Sequence, residues 1–200
     1  HIIALRSAIK MAEATGNTGD IAGYEAIIER VTRGYNNCWN GEAYRHPDYK
    51  DATDDRVQAL AVLAGIAGPE KYPAIFETIR KEEHASPYME KYVMEALFRM
   101  GYGEYAIERN MRRFGPMVND PERTTLFEGW ELNSSAFGGG TSNHAWSGGT
   151  LIVIASDICG VRPLTPGWSE FTVAPCSGAA ELLGGYEFSI PTVKGTVKSS

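Results

Sequence analysis

Residues 57–67, VQALAVLAGIA, carry no charge and are apolar almost all the way round a helical wheel. A helix of that kind is buried on most of its sides, so the chain must supply other elements to cover it. Neighbouring stretches fit that task. Ile21, Tyr24, Ile28 and Val31 recur at helical spacing before Gly34. Tyr72, Ile75, Phe76 and Ile79 follow Pro69, and Met89, Tyr92, Val93, Ala96, Leu97 and Met100 run up to Gly101. Ile107, Met111 and Phe114 precede Gly115-Pro116. Each is a one-sided apolar stripe with a glycine or proline as punctuation, which predicts amphipathic outer helices around buried ones. Gly68-Pro69 and Gly101-Tyr102-Gly103 supply short turns, so the expected arrangement is stacked helical hairpins. No fixed-period repeat marks a solenoid.

The periodicity changes at Gly160. Pro163, Pro166 and Gly167 interrupt the chain, and the stretches 168–173, 186–190 and 192–197 alternate as strands do. Three short strands form a marginal unit by themselves, and the chain stops while the last is still running. The expected organisation is a helical part over 1–161 and an incomplete β part over 162–200.

Bulk properties exclude several functions. The net charge is −6, and Arg112-Arg113 is the nearest thing to a basic cluster, which argues against nucleic acid as a partner. No apolar run approaches the roughly 18 residues of a membrane span. Cys38, Cys159 and Cys176 are too few and too scattered for a disulfide framework or a zinc site. His1, His46, His84 and His144 are equally dispersed. No phosphate-binding glycine loop or nucleophile elbow is present, and Gly138-Gly139-Gly140 has neither a strand before it nor a lysine after it. No cofactor and no metal are expected.

The chemistry concentrates in 117–149, a stretch rich in Gly, Ser, Asn and Thr that also holds Trp130 and Trp146. Long connections of this kind are functional or disordered, and disorder does not favour tryptophan. Thr124-Thr125-Leu126-Phe127-Glu128-Gly129-Trp130-Glu131 places a carboxylate between aromatic side chains. Apolar surroundings disfavour the charged form of a carboxyl and suit it to acid–base work near neutral pH. Taken alone, the string reads equally as a solvated glutamate beside core aromatics. Ser142-Asn143-His144-Ala145-Trp146-Ser147-Gly148-Gly149 sets Ser142 as a helix N-cap and His144 in the first turn, as a pocket residue or a core histidine. Asp54-Asp55-Arg56 precedes the buried helix. The aspartates suit a helix N-terminus; Arg56 does not, and is a candidate for binding a carboxylate or a sugar hydroxyl. Trp39, beside Asn40 and Gly41, is either a sugar-stacking wall or core.

Together, TTLFEGWE, SNHAWSGG and GVRPLTPGWSEFTVAP resemble the end of the catalytic domain of α-L-rhamnosidases of glycoside hydrolase family 78. DDRVQALAVLAGIA and SPYMEKYVMEALFRMGYGEYAIERNMRRFGPMV are similar to the helices preceding it in that family, so the resemblance spans most of residues 36–198. It implies a mainly α chain, part of an (α/α)6 barrel followed by part of a β-sandwich. It also implies inverting hydrolysis of terminal α-L-rhamnose, with Glu128 as general base and His144 contacting the sugar. Trp130, Trp146, Phe127, Arg56, Asp55 and Trp39 complete the candidate substrate site. Phe127 stands where the family often has Trp. The family's general acid belongs to an Arg- and Asp-rich segment before a Gly-Trp-x-Gly-Asp-like string, which these residues lack. The expectations are therefore a rhamnose-containing glycoside as partner, an isolated chain that does not turn over, and self-association through uncovered helix faces. Competing readings are an (α/α)6 hydrolase of fucose-like or uronic sugars, a non-catalytic carbohydrate-binding module, and a helical domain whose Glu128, His144 and Trp130 do not converge.

Overall fold

The structure is a computed structural model that describes residues 1–132 and 140–200. It divides into two compact units, His1–His84 and Ala85–Ser200. The first holds α1 (Ile2–Thr15), α2 (Ile21–Asn36), α3 (Asp55–Leu63) and α4 (Tyr72–Lys81). The second holds α5 (Pro87–Met100), α6 (Gly103–Val118), the short α7 (Thr150–Val153) and α8 (Ala179–Leu183), with strands β1 (Val161–Pro163), β2 (Phe171–Val173), β3 (Phe188–Thr192) and β4 (Gly195–Ser199). The chain is mainly α with a small β part. Among the described residues, no helix is long and apolar enough to cross a membrane.

Across the two expected turns α3 packs on α4 and α5 on α6, and α1 adds a third hairpin by packing on α2. In the first unit the charge-free stretch forms α3 only as far as Leu63, its last four residues making the turn that follows; Ala59, Ala61 and Val62 are almost fully buried while Leu60 stays on the surface. Asp54 caps it, its Oδ1 accepting the Arg56 amide at 2.8 Å. Gln58 braces the loop before it, accepting the Tyr44 amide at 2.8 Å and donating to the Tyr44 carbonyl at 2.9 Å.

In the second unit α5 is the buried member of its pair, contrary to the outer position its stripe suggests. Val93, Met94, Ala96 and Leu97 are fully buried, and so is Glu90. The charge that makes this face look solvated is neutralised inside: Arg109 Nε and Nη2 donate to Glu90 at 2.5 and 3.2 Å, and Arg113 Nη1 at 2.7 Å. Ser86 caps α5, and Gly101, at φ 90°, ends it in the left-handed turn that favours glycine.

Two punctuation marks do not act as stops. Helix α2 continues through Gly34 to Asn36, and α6 through Gly115-Pro116 to Val118. A proline this near a helix end forfeits one backbone hydrogen bond, and burial of Phe114 and Met117 against Phe127 holds the final turn in place.

The α7 helix runs on as a π-turn over Ile154–Ile158, and the chain reverses at Gly160. Its φ is 68°, and a Cβ there would lie 1.9 Å from the Ala174 carbonyl oxygen, so only glycine fits. The β part is two antiparallel hairpins, β1–β2 and β3–β4, in separate two-stranded sheets. The three expected stretches are present with other bounds: β2 starts only at Phe171 because Pro166–Trp168 forms a 3-10 turn, β3 and β4 both begin and end later than expected, and β1 is an additional strand.

Candidate functional site

In the second unit the two aromatic-rich strings are laced together. The Glu128 amide donates to the Thr141 carbonyl and the His144 amide to the Leu126 carbonyl, both at 2.9 Å. The Thr125 hydroxyl bonds the Ser142 carbonyl. Buried Ser147 donates its hydroxyl to the Phe127 carbonyl at 2.6 Å, and the Trp146 indole N–H reaches the Glu128 carbonyl at 3.2 Å. Ser142 is therefore a partner of the first string. The helical turn begins later, as a 3-10 turn over Ala145–Gly149 with His144 at its N-cap, and it packs on α5. Of the tri-glycine run, Gly138 and Gly139 lie outside the described residues.

This lacing brings Glu128, His144 and Trp146 into one cluster. Glu128 Oε2 accepts the Thr141 amide at 3.1 Å and lies 3.3 Å from the Thr141 hydroxyl. That hydroxyl is 3.2 Å from His144 Nδ1, which is 3.8 Å from Glu128 Oε2. Among the described residues all of these contacts fall on Oε2. The His144 ring lies against Trp146 at 4.3 Å between centroids, and Trp146 against Tyr88 at 5.3 Å. Tyr88 continues to Tyr92, where the hydroxyl contact and burial push the Tyr92 phenol up to about 12. The Glu128 side chain is 18% exposed and that of His144 35%, so both remain reachable from outside.

Phe127 and Trp130 occupy a different place. Phe127 is buried among Phe114 and Met117. Trp130 meets Phe114 edge-on at 5.0 Å, carries the Arg113 guanidinium 4.2 Å over its ring, and donates its indole N–H to the Ala85 carbonyl at 2.7 Å. Arg113 bonds that same carbonyl at 2.8 Å and also binds buried Glu90. The string carrying Glu128 is thus fixed to the α5–α6 hairpin on either side of the carboxylate.

Trp39, Asp55 and Arg56 belong to the first unit. Trp39 bridges Tyr44 in an isolated β-pair, with ring centroids 5.1 Å apart. The Lys71 ammonium sits 5.2 Å over the Trp39 ring and donates to Asn36 and to the Tyr44 hydroxyl at 2.8 Å. Asp55 is fully buried in the first turn of α3. Arg56 chelates Asp54, with Nε 2.8 and 3.0 Å from its two oxygens; the cation at a helix N-terminus is accommodated by the capping carboxylate. Burial disfavours the Asp54 charge, but the Arg56 hydrogen bonds outweigh it and hold the carboxyl below the usual range. A cavity of about 510 Å³ opens here between Tyr35, Tyr44, Arg45, Tyr49 and Asp54.

The sequence reading missed Thr141 and Arg113. Thr141 lies 13 residues from Glu128, and nothing about a lone threonine in a polar loop announces that contact. Burial pushes the Cys159 and Cys176 thiols up, away from the thiolate a nucleophile needs. Among the described residues, no three His, Cys, Asp or Glu side chains gather as a metal site.

A helical-hairpin region running into short β-hairpins, with a glutamate–threonine–histidine cluster on a laced loop, defines the class of structure. Two solved structures are similar to this chain in fold. The GH78 family rhamnosidase of Bacillus sp. GL1 matches with a TM-score of 0.77 at 24% identity, over 98% of this chain and 22% of that one. The α-L-rhamnosidase from Dictyoglumus thermophilum matches with a TM-score of 0.76 at 20% identity, over 98% of this chain and 23% of that one. The chain therefore has the fold of a stretch of these rhamnosidases and spans about a fifth of their length. No family model matches it, and no curated protein matches it in sequence.

Proposed function

We propose that these residues form part of an inverting glycoside hydrolase that removes terminal α-L-rhamnose, and that Glu128 is its general base. The observation that carries this reading is the Glu128 carboxylate, tethered through Oε2 to Thr141 and His144 beside Trp146, in a chain with the fold of two rhamnosidases. A base in inverting hydrolysis must hold a water on the face of the sugar opposite the leaving group, while a second carboxylic acid protonates that group. Glu128 is held at one carboxylate oxygen and partly exposed, as the first of these tasks requires. His144 and Trp146 contact the sugar. Phe127 and Trp130 act from behind, holding the string on which Glu128 stands. Arg56 and Trp39 are sugar contacts of the first unit's own cavity region, and Asp55, buried at the start of α3, acts there only by positioning. The acid comes from outside these 200 residues, so the chain alone binds sugar without turning it over. Residues 1–161 are then part of an (α/α)6 barrel and 162–200 the start of a β-sandwich.

The test is hydrolysis of an aryl α-L-rhamnoside by a longer protein that contains this chain, with the released sugar followed by proton NMR. The β-anomer is expected first. Glu128→Gln is expected to cut kcat by about 10² to 10⁴, the usual share of a general base, with Tm unchanged. A Glu128→Gln enzyme within threefold of the original overturns the assignment, and turnover by the 200 residues alone overturns the placement of the acid.

A further inference from the structure

The Glu128–Thr141–His144 contacts have a direction. The Thr141 hydroxyl oxygen lies 3.3 Å from Glu128 Oε2 and 3.2 Å from His144 Nδ1. A carboxylate accepts hydrogen bonds and donates none, and a hydroxyl has one proton to give. That proton goes to Oε2, because two oxygens facing each other without one would repel. The threonine oxygen is left with lone pairs towards Nδ1, so Nδ1 must carry the hydrogen of that contact. A neutral imidazole has one N–H, and its Nε2 is then bare.

The ring is held in this role from other sides. The His144 amide donates to the Leu126 carbonyl at 2.9 Å, its carbonyl accepts the Ser147 amide at 3.2 Å, and Trp146 lies against the imidazole. The Thr141 amide on Oε2 fixes the threonine backbone to the same carboxylate oxygen.

We propose that Thr141 is a positioning residue that relays the charge of Glu128 to His144, fixing the imidazole as its Nδ1–H tautomer and leaving Nε2 to accept a hydrogen bond from a sugar hydroxyl. The ligand class rests on the hydrolase reading above; the relay does not. The site then selects a donor hydroxyl at that point of the sugar, because a ligand presenting an acceptor or a carbon there leaves the bare nitrogen unpaired.

The tautomer can be read without turnover. The chain has four histidines, and His144→Gln assigns the His144 signals in long-range proton–nitrogen NMR spectra of the full 200-residue chain. At pH 8 the expected result is a protonated Nδ1 and a bare Nε2. Thr141→Val should release the ring to the other tautomer, and Thr141→Ser should restore Nδ1–H, which general damage to the loop would not do. A dominant Nε2–H form in the unaltered chain overturns the relay, as does an Nδ1–H form that survives in Thr141→Val. L-rhamnose is then added. Movement of the Nε2 signal supports the sugar contact. Movement of the Glu128 and Trp146 amides without Nε2 overturns that contact and leaves the hydrolase reading standing. No movement in either removes the hydrolase reading and the sugar contact, with the relay decided by the tautomer alone.

Discussion

Two glutamates of the second unit have opposite surroundings. Glu90 is sealed inside the α5–α6 hairpin with a guanidinium on each oxygen: Arg109 holds both and Arg113 one. Glu128, on the laced loop, keeps part of its side chain exposed, and its described hydrogen bonds come from an amide and a hydroxyl on a single oxygen, with His144 nearby. A buried carboxylate saturated by two cations has no capacity left for a ligand and serves the fold. A carboxylate tethered at one corner can face a reacting water. The two are joined, because Arg113 lies on Trp130 and shares the Ala85 carbonyl with it. The rigid ion cluster is the anchor of the loop that carries the candidate base.

The largest effect expected of this contrast is on stability. Glu90→Ala removes the carboxylate that Arg109 and Arg113 share and should cost about 3–5 kcal/mol, the usual cost of breaking a buried ion pair from one side. Urea unfolding followed by tryptophan fluorescence measures it. A loss below about 1 kcal/mol would mean that the cluster is hydrated and that Glu90 is no different in kind from Glu128.

The same contrast explains what the sequence revealed. The stripes of α4 and α5, the turn before α4 and the turn after α5 were legible because apolar spacing and glycine or proline breaks are local signals. The position of α5 was not. Glu90 reads as a solvent-facing charge until Arg109 and Arg113, 19 and 23 residues on, are seen to cancel it. Gly115-Pro116 reads as a stop, yet tertiary burial at Phe114 and Met117 outweighs the local preference. At the site, Glu128 and His144 stood out because aromatic neighbours frame them. Thr141 and the Arg113–Trp130 stack did not, since each is a pairing across the fold between unremarkable residue types.

A smaller effect probes the link between the two glutamates. Arg113→Met keeps Arg109 on Glu90 but removes the charge-assisted bonds to Glu90 and Ala85 and the cation over Trp130. A loss of about 2–3 kcal/mol is expected, from two charge-assisted hydrogen bonds and one cation–π contact. Hydrogen exchange should rise at the amides of Glu128 and His144, which lace the loop, more than within α3 of the first unit. Equal change in both would break the claim that Arg113 anchors the loop in particular.

The smallest effect uses a third carboxylate, intermediate between the other two. Asp54 is partly exposed and holds one cation, Arg56, while capping α3. Its folded carboxyl titrates below the ordinary value of 3.8 because the Arg56 bonds outweigh the burial that opposes them. A depressed folded value means that the ionised form favours the folded state. The contribution is therefore complete well above the unfolded carboxylate range and fades as pH falls from about 4 through the folded value. Asp54→Asn retains an oxygen to accept the Arg56 amide, so the cap survives and only the charge is lost. The variant should be slightly less stable at pH 6, and the gap should narrow as the pH is lowered below about 4. A gap that stays constant over that range would assign the role of Asp54 to its cap geometry, and would leave Glu90 as the carboxylate whose charge the fold needs.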